Sequence, residues 1–184
     1  MQDCAYRPRG TLEYGPVTLR RWRRYDEEAA YLAVIESLDH LRPWMPWAAG
    51  YSRENAAGFI AECECDWDCG DAYNYAITVG GRVAGSCGLM ARIDPGGLEI
   101  GYWVHRAYVR RGLATAAAAA LANAAFALPG VDHVEIVHDE LNDASAAIPR
   151  KLGFTKIGSR SLDFEPGAGN GTGIVWRLSR PWNS

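Results

Sequence analysis

The chain has 184 residues, 48% hydrophobic and 22% charged, enough to bury one substantial core, and a single domain over residues 1–184 is the expectation. A formal net charge of −3 excludes the basic composition of a general nucleic-acid binder, and no apolar stretch approaches the ~18 residues of a membrane span. The polar N-terminus does not read as a signal peptide, so a cytoplasmic protein with neither nucleic-acid nor membrane partner is expected. Five cysteines, an odd number, do not form a secreted disulfide framework. Cys63, Cys65 and Cys69 fall as C-x-C-x3-C in a predicted helix, where positions i and i+2 point apart and no fourth ligand is at hand. Free thiols and no metal are expected.

Residues 1–16, with Pro8, Gly10, Gly15 and Pro16, read as a lead-in segment. Residues 17–22 form a first strand. Asp26 is placed to cap a helix running to about Asp39, with Ala30, Leu32, Ile35 and Leu38 on its apolar side. A proline-broken Trp44–Trp47 segment ends it, and Ser52 is placed to cap a second helix through about Trp67. Residues 73–79 alternate as a half-buried strand, Gly80-Gly81 is a hairpin turn, and residues 82–90 return. Pro129-Gly130 breaks the chain before a strand at 133–138, and a helix from about Asn142 ends at Gly153. Strands at 155–162 and 173–178, joined by a Gly-rich hairpin loop at 166–173, complete the pattern. The order is that of an α+β fold on a mixed sheet.

Residues 98–128 carry the strongest signal. Ile100, Tyr102 and Val104 alternate with Glu99, Gly101 and Trp103 as a strand, and ten alanines between Ala114 and Ala127 then dictate a helix with a thin apolar stripe. Between them lies Arg110-Arg111-Gly112-Leu113-Ala114. A strand, a short basic turn and a helix N-terminus together offer free backbone N–H groups, the positive end of a dipole and two guanidiniums. Gly112 lets a phosphate approach the backbone, so the turn reads as a pyrophosphate site. Neither GxxxxGK[ST] nor a GxGxxG after a strand is present, which removes the commonest nucleotide-binding alternatives.

This turn resembles motif A of the GNAT superfamily of acyl-CoA N-acyltransferases, [QR]-x-x-G-x-[GA], with Val109 where the family has Gln or Arg. The backbone N–H groups survive that departure. Asn142-Asp143-Ala144-Ser145 followed by Arg150-Lys151-Leu152-Gly153-Phe154 resembles the segment that closes over the coenzyme thiol in the Rim-type ribosomal-protein N-terminal acetyltransferases. The stretch from His40 to Trp47, HLRPWMPW, resembles the Leu-x-x-Trp-x-x-Trp segment near their acceptor site. The resemblance implies a mixed, mostly antiparallel sheet of about seven strands with a splayed central strand and about four helices. It also implies acetyl-CoA as co-substrate. Backbone groups of Trp103 and Val104 would pair with the pantetheine amides. Arg110, Arg111, Gly112, Leu113, Ala114 and Thr115 would hold the pyrophosphate, and Asn142 would contact the coenzyme arm. Homodimers are common in the family, but no residue here decides that state.

Transfer from a thioester to an amine needs a neutral amine, a polarised carbonyl and stabilisation of the departing thiolate. Glu99 is the candidate base, directly or through a water, and Ser145 the candidate partner of the coenzyme sulfur. Many relatives use a tyrosine for the latter task. Residues 146–150 contain none, and Tyr102 and Tyr108 are the substitutes at hand. His105, alone after a strand, is left out. Trp44 and Trp47, with Asp66 and Asp68 from an acidic run that includes Glu62, Glu64 and Asp71, would suit a cationic amine acceptor. An α-amine near pKa 7.7–8.0 is roughly a tenth neutral at pH 7, a lysine near 10.4 only a few parts in ten thousand, so a modest base favours α-amines. The expected function is transfer of acetyl from acetyl-CoA to a protein N-terminal α-amine or small amine, by direct attack in a ternary complex. The alternatives are a small-molecule N-acyltransferase with another acyl donor and a non-catalytic acyl-CoA sensor.

Overall fold

The structure, a computed structural model, describes residues 6–162 and 169–180. Its strands are β1 (Thr11–Tyr14), β2 (Val17–Arg21), β3 (Ala72–Val79), β4 (Arg82–Met90), β5 (Gly97–Val104), β6 (His133–Asp139), β7 (Thr155–Ser161) and β8 (Thr172–Ser179). They form one sheet in the order β1-β2-β3-β4-β5-β6-β8-β7. Every neighbouring pair is antiparallel except β5 and β6. The helices are α1 (Glu27–Ile35), α2 (Leu38–Leu41), α3 (Arg53–Cys69), α4 (Leu113–Phe126) and α5 (Asp143–Lys151). The architecture is the expected α+β one, with one strand and one helix more among the described residues.

The extra strand is β1, inside the segment read as a lead-in. It is an edge strand with three of its four residues exposed, so it carries no apolar alternation to announce it. The extra helix arises because the predicted helix to Asp39 breaks at Ser37. That residue is fully buried, and its hydroxyl accepts the Arg106 N–H at 3.1 Å, which ties the break to the far end of β5. Asp26 does not cap α1 with its side chain. It is buried and holds the Arg20 guanidinium through both oxygens, at 2.6 and 2.8 Å, and the Arg23 N–H at 2.8 Å. Ser52 does cap α3: its hydroxyl accepts the Asn55 N–H while Asn55 Oδ1 accepts the Ser52 N–H. Part of the glycine-rich loop expected at 166–173 lies outside the described residues.

The two faces of the sheet are covered differently. α1 and α3 lie over β3 and β4 on one face, and α4 lies across β1, β2, β4 and β5 on the other. Leu98, Ile100 and Val104 of β5 pack with α4 in the main core, while Trp103, on the opposite face, packs with Val34, Leu41 and Ala48. The alanine helix buries ten residues, eight of them alanine, so it is enclosed on nearly every side rather than along a thin stripe. Its small side chains let it lie close to the sheet. Ala117 is 0% exposed, and Ala117→Leu should therefore overpack the interface and cost about 1–3 kcal/mol. A denaturation midpoint equal to that of the parent would show unused space there. Among the described residues, no helix is long and apolar enough to cross a membrane.

Candidate active site

β5 and β6 pair in register from Gly97 opposite His133 to Ile100 opposite Ile136, and there the pairing stops. β4 follows β5 onward to Val104, so residues 101–104 keep a neighbour on one edge and face an opening on the other. A cleft of about 1030 Å³ runs through this opening. Ser145, Asn142 and His138 line it on the α5 side, and Trp47, Tyr51 and Asp66 line it on the α1–α3 side. The sheet thus supplies a passage between its two faces.

Residues 105–112 join β5 to α4, ending in a tight turn just before Leu113. Arg110 and Gly112 both have left-handed backbones, φ 63° and 75°. No side chain caps α4, and no acidic residue stands in its first turn. The first N–H groups of a helix have no partner within it. Arg110, Arg111 and Gly112 are exposed, and nothing lies within 4 Å of where a Cβ on Gly112 would be. Leu113 anchors the turn in the core, and Ala114 and Thr115 follow half-buried. The turn therefore presents open space and backbone donors, with Arg110 exposed and the Arg111 guanidinium 5.2 Å from the centre of the Tyr108 ring.

Asn142 caps α5, its Oδ1 accepting the Ser145 N–H at 3.0 Å, which leaves the Ser145 hydroxyl free of backbone duty. That hydroxyl lies 3.1 Å from the Tyr102 phenol, on the even-numbered face of β5. Glu99 occupies the other face. It is 3% exposed, and its two oxygens accept from different guanidiniums, Oε1 from Arg92 and Oε2 from Arg160, the latter at 2.8 Å. Each oxygen retains a lone pair for a water or an amine. The arginines themselves are 58% and 41% exposed along their side chains and line the cleft. Neither was singled out in the sequence, since Arg160 is 61 residues from Glu99 and no local pattern joins them.

Three of the histidines are committed elsewhere. The Trp176 indole N–H donates to His138 Nε2 at 2.9 Å, so the ring proton sits on Nδ1, which donates to the Asp139 carbonyl at 2.8 Å. Both nitrogens are used, and His138 lines the cleft without a free basic site. His105 Nδ1 accepts the Ala107 N–H, and Nε2 meets Glu36 at 3.0 Å, so this ring caps the turn after β5. His133 pairs through Nδ1 with Asp132 at the far end of β6.

On the acceptor side, Trp47 stands 6.2 Å from Trp103 and 5.7 Å from Tyr51, ring centre to ring centre, and half-buried Trp44 lines the same wall. Asn55, Phe59, Glu62 and Asp66 recur at helical spacing along one stripe of α3 and all line the cleft, as does Asp71 just beyond it. Asp68 does not join them. Two residues on from Asp66, it is turned about 200° around the helix and meets Arg7 at 3.3 Å and Arg21 at 3.6 Å on the outer side. Burial, then the neighbouring Asp71 charge, push the Asp66 carboxyl above its usual range, and a bound ammonium would draw it back down. Cys63 is buried, while Cys65 and Cys69 are exposed with their sulfurs 3.9 Å apart. Among the described residues no group of three or more His, Cys, Asp or Glu is arranged to hold a metal ion.

A parallel strand pair that splays at mid-sheet, with a serine and a carboxylate on opposite sides of the gap and an uncapped helix N-terminus after the strand, is the arrangement expected of an acyl-CoA-dependent N-acyltransferase. The chain belongs to the GNAT acetyltransferase family, whose domain profile matches residues 17–155. No curated protein matches the sequence. The fold is similar to that of the microcin C7 self-immunity acetyltransferase MccE, solved with acetyl-CoA and AMP (TM-score 0.82, 18% identity, covering 90% of this chain and 93% of that one). It is similar also to RimJ of Mycobacterium smegmatis, solved with a coenzyme A disulfide (0.80, 22%, 92% and 86%). A third likeness is to the ribosomal L7/L12 α-N-protein acetyltransferase RimL, solved with coenzyme A (0.82, 20%, 92% and 97%). The enzyme uses acetyl-CoA as its co-substrate, and membership of this family supports turnover over a sensor role.

Proposed function

We propose that the acceptor is a primary amine that arrives as a cation, either the α-amine of a protein N-terminus or that of a small molecule. It gives one proton to water on binding and attacks acetyl-CoA as the neutral amine, directly in a ternary complex. The observation that carries this reading is a cleft through the gap between β5 and β6, lined by Asn142 and Ser145 on one side and by Trp47 and Asp66 on the other. Acetyl-CoA enters from the side of the Arg110–Thr115 turn, with its pantetheine arm along Trp103 and Val104 and past Asn142. The thioester reaches the gap beside Ser145, whose hydroxyl stabilises the sulfur. The acceptor enters from the opposite side, between the Trp44–Trp47 wall and the carboxylates of Glu62, Asp66 and Asp71. Aromatic faces and carboxylates together attract an ammonium. Glu99, on the acceptor face of β5 and held in place by Arg92 and Arg160, receives the amine proton directly or through a water.

Charge reversal at two neighbouring positions tests the acceptor site. Asp66→Lys should raise KM for a cationic acceptor roughly tenfold or more while leaving coenzyme affinity unchanged. Asp68→Lys should do neither, because Asp68 faces Arg7 and Arg21 away from the cleft. Equal KM values for the parent and the Asp66 variant would remove the carboxylates from acceptor binding.

A further inference from the structure

Tyr102 is the first residue past the last β5–β6 pair whose side chain stands on the α4 and α5 face, at the point where the sheet opens. Its phenol oxygen lies 3.1 Å from Ser145 Oγ, and both residues line the cleft. A hydroxyl pair can be arranged in two ways. If serine donates to the phenol, its proton is turned away from the gap and the sulfur meets only lone pairs. If the phenol donates, serine accepts on one side and its own proton is free to point into the gap. A departing thiolate selects the second arrangement, because only that one offers it a donor.

We propose that Tyr102 is a positioning residue: its phenol donates to Ser145 Oγ and so directs the Ser145 hydroxyl proton at the coenzyme sulfur in the gap between β5 and β6. The proposal rests on the reading of this cleft as the site of transfer. Burial pushes the Tyr102 phenol up to about 12, which keeps it a donor throughout the working range. The same value separates positioning from proton relay. A thiol titrates near 8.5, so moving the phenol proton through serine to sulfur runs uphill by roughly three orders of magnitude. The nitrogen–carbon bond forms and the carbon–sulfur bond breaks with its electron pair on sulfur. The ammonium has given one proton to water before attack; the proton left on nitrogen goes to Glu99, and the thiolate leaves as a thiolate, held by the Ser145 hydrogen bond, to take a proton from water afterwards. A hydrogen bond to a charged group is worth about one to two orders of magnitude in rate when it is made only as the charge develops.

The test is a double-mutant cycle with two readouts. Ser145→Ala should lower kcat roughly 10- to 100-fold and Tyr102→Phe roughly 3- to 10-fold, each with little change in KM for acetyl-CoA. In the Ser145→Ala background, Tyr102→Phe should cost nothing further. A Tyr102→Phe loss that persists undiminished without Ser145, or no loss in either background, would overturn the proposal. The second readout needs no acceptor: the ultraviolet titration of the thiol of bound coenzyme A, against desulfo-coenzyme A as control. Both single variants should raise that thiol's pKa, and the double variant no more than Ser145→Ala alone. A titration that Tyr102→Phe leaves unmoved would overturn the proposal even if no amine in hand turned over. Failure to transfer to any amine would instead count against the proposed function.

Discussion

Gly112→Asp abolishes useful acetyl-CoA affinity while the protein stays folded; this is the largest effect expected of any single change in the coenzyme site. Gly112 is exposed with nothing within 4 Å of an added Cβ, so the new side chain starts in open space. Its φ of 75° is a region that aspartate enters more readily than most residues, at a cost of roughly 1–2 kcal/mol. The carboxylate then occupies the space left for the pyrophosphate, in front of the uncapped N-terminus of α4. Like charges about 4 Å apart near a protein surface repel by about 4 kcal/mol. That corresponds to a loss of affinity of roughly 100- to 1000-fold. Calorimetry with acetyl-CoA measures it, and a thermal melt on the same sample separates lost binding from lost folding. Unchanged affinity in a folded variant would remove the turn from the coenzyme site.

The second large effect is on rate alone. Glu99→Gln should lower kcat by roughly 10²- to 10⁴-fold with acetyl-CoA affinity retained. Glutamine keeps the shape and one acceptor oxygen for a guanidinium. Because Arg92 and Arg160 both reach water, the loss of stability should stay near about 1 kcal/mol. The two arginines also supply a control. If Glu99 only anchors them, Arg92→Ala and Arg160→Ala should match Glu99→Gln in kcat. If Glu99 takes the proton, those variants should act more weakly. A Glu99→Gln enzyme of parental kcat would exclude Glu99 as the base.

What could be read from the sequence was what lies close together in the chain. The strand, basic turn and alanine helix at 98–128 are contiguous, so their periodicities change in view of one another and the turn between them is legible. The Ser52 cap and the start of a helix at about Asn142 are equally local. Relations across the sheet were not legible. Nothing near Glu99 announces Arg160, and nothing near Ser145 announces Tyr102, because 61 and 43 residues separate the partners. Asp66 and Asp68 look equivalent as letters in an acidic run. Only the phase of α3 puts one in the cleft and the other against Arg7 and Arg21. β1 was missed because an exposed edge strand has no buried face to impose alternation. The break at Ser37 was missed because it depends on a hydrogen bond from Arg106, 69 residues away.

The central claim is that one cleft brings acetyl-CoA and a cationic amine together across the gap between β5 and β6. Its most direct measurement is coenzyme thiol release from acetyl-CoA with a panel of short peptides of varied N-terminal residue, polyamines and aminoglycosides. Enzyme-only controls are needed, because the exposed thiols of Cys65 and Cys69 react with the thiol reagent. The account predicts saturable, amine-dependent release for at least one cationic acceptor, weakened in KM by Asp66→Lys and in kcat by Glu99→Gln. Release that is indifferent to both changes, or that favours neutral acceptors over cationic ones, would contradict it.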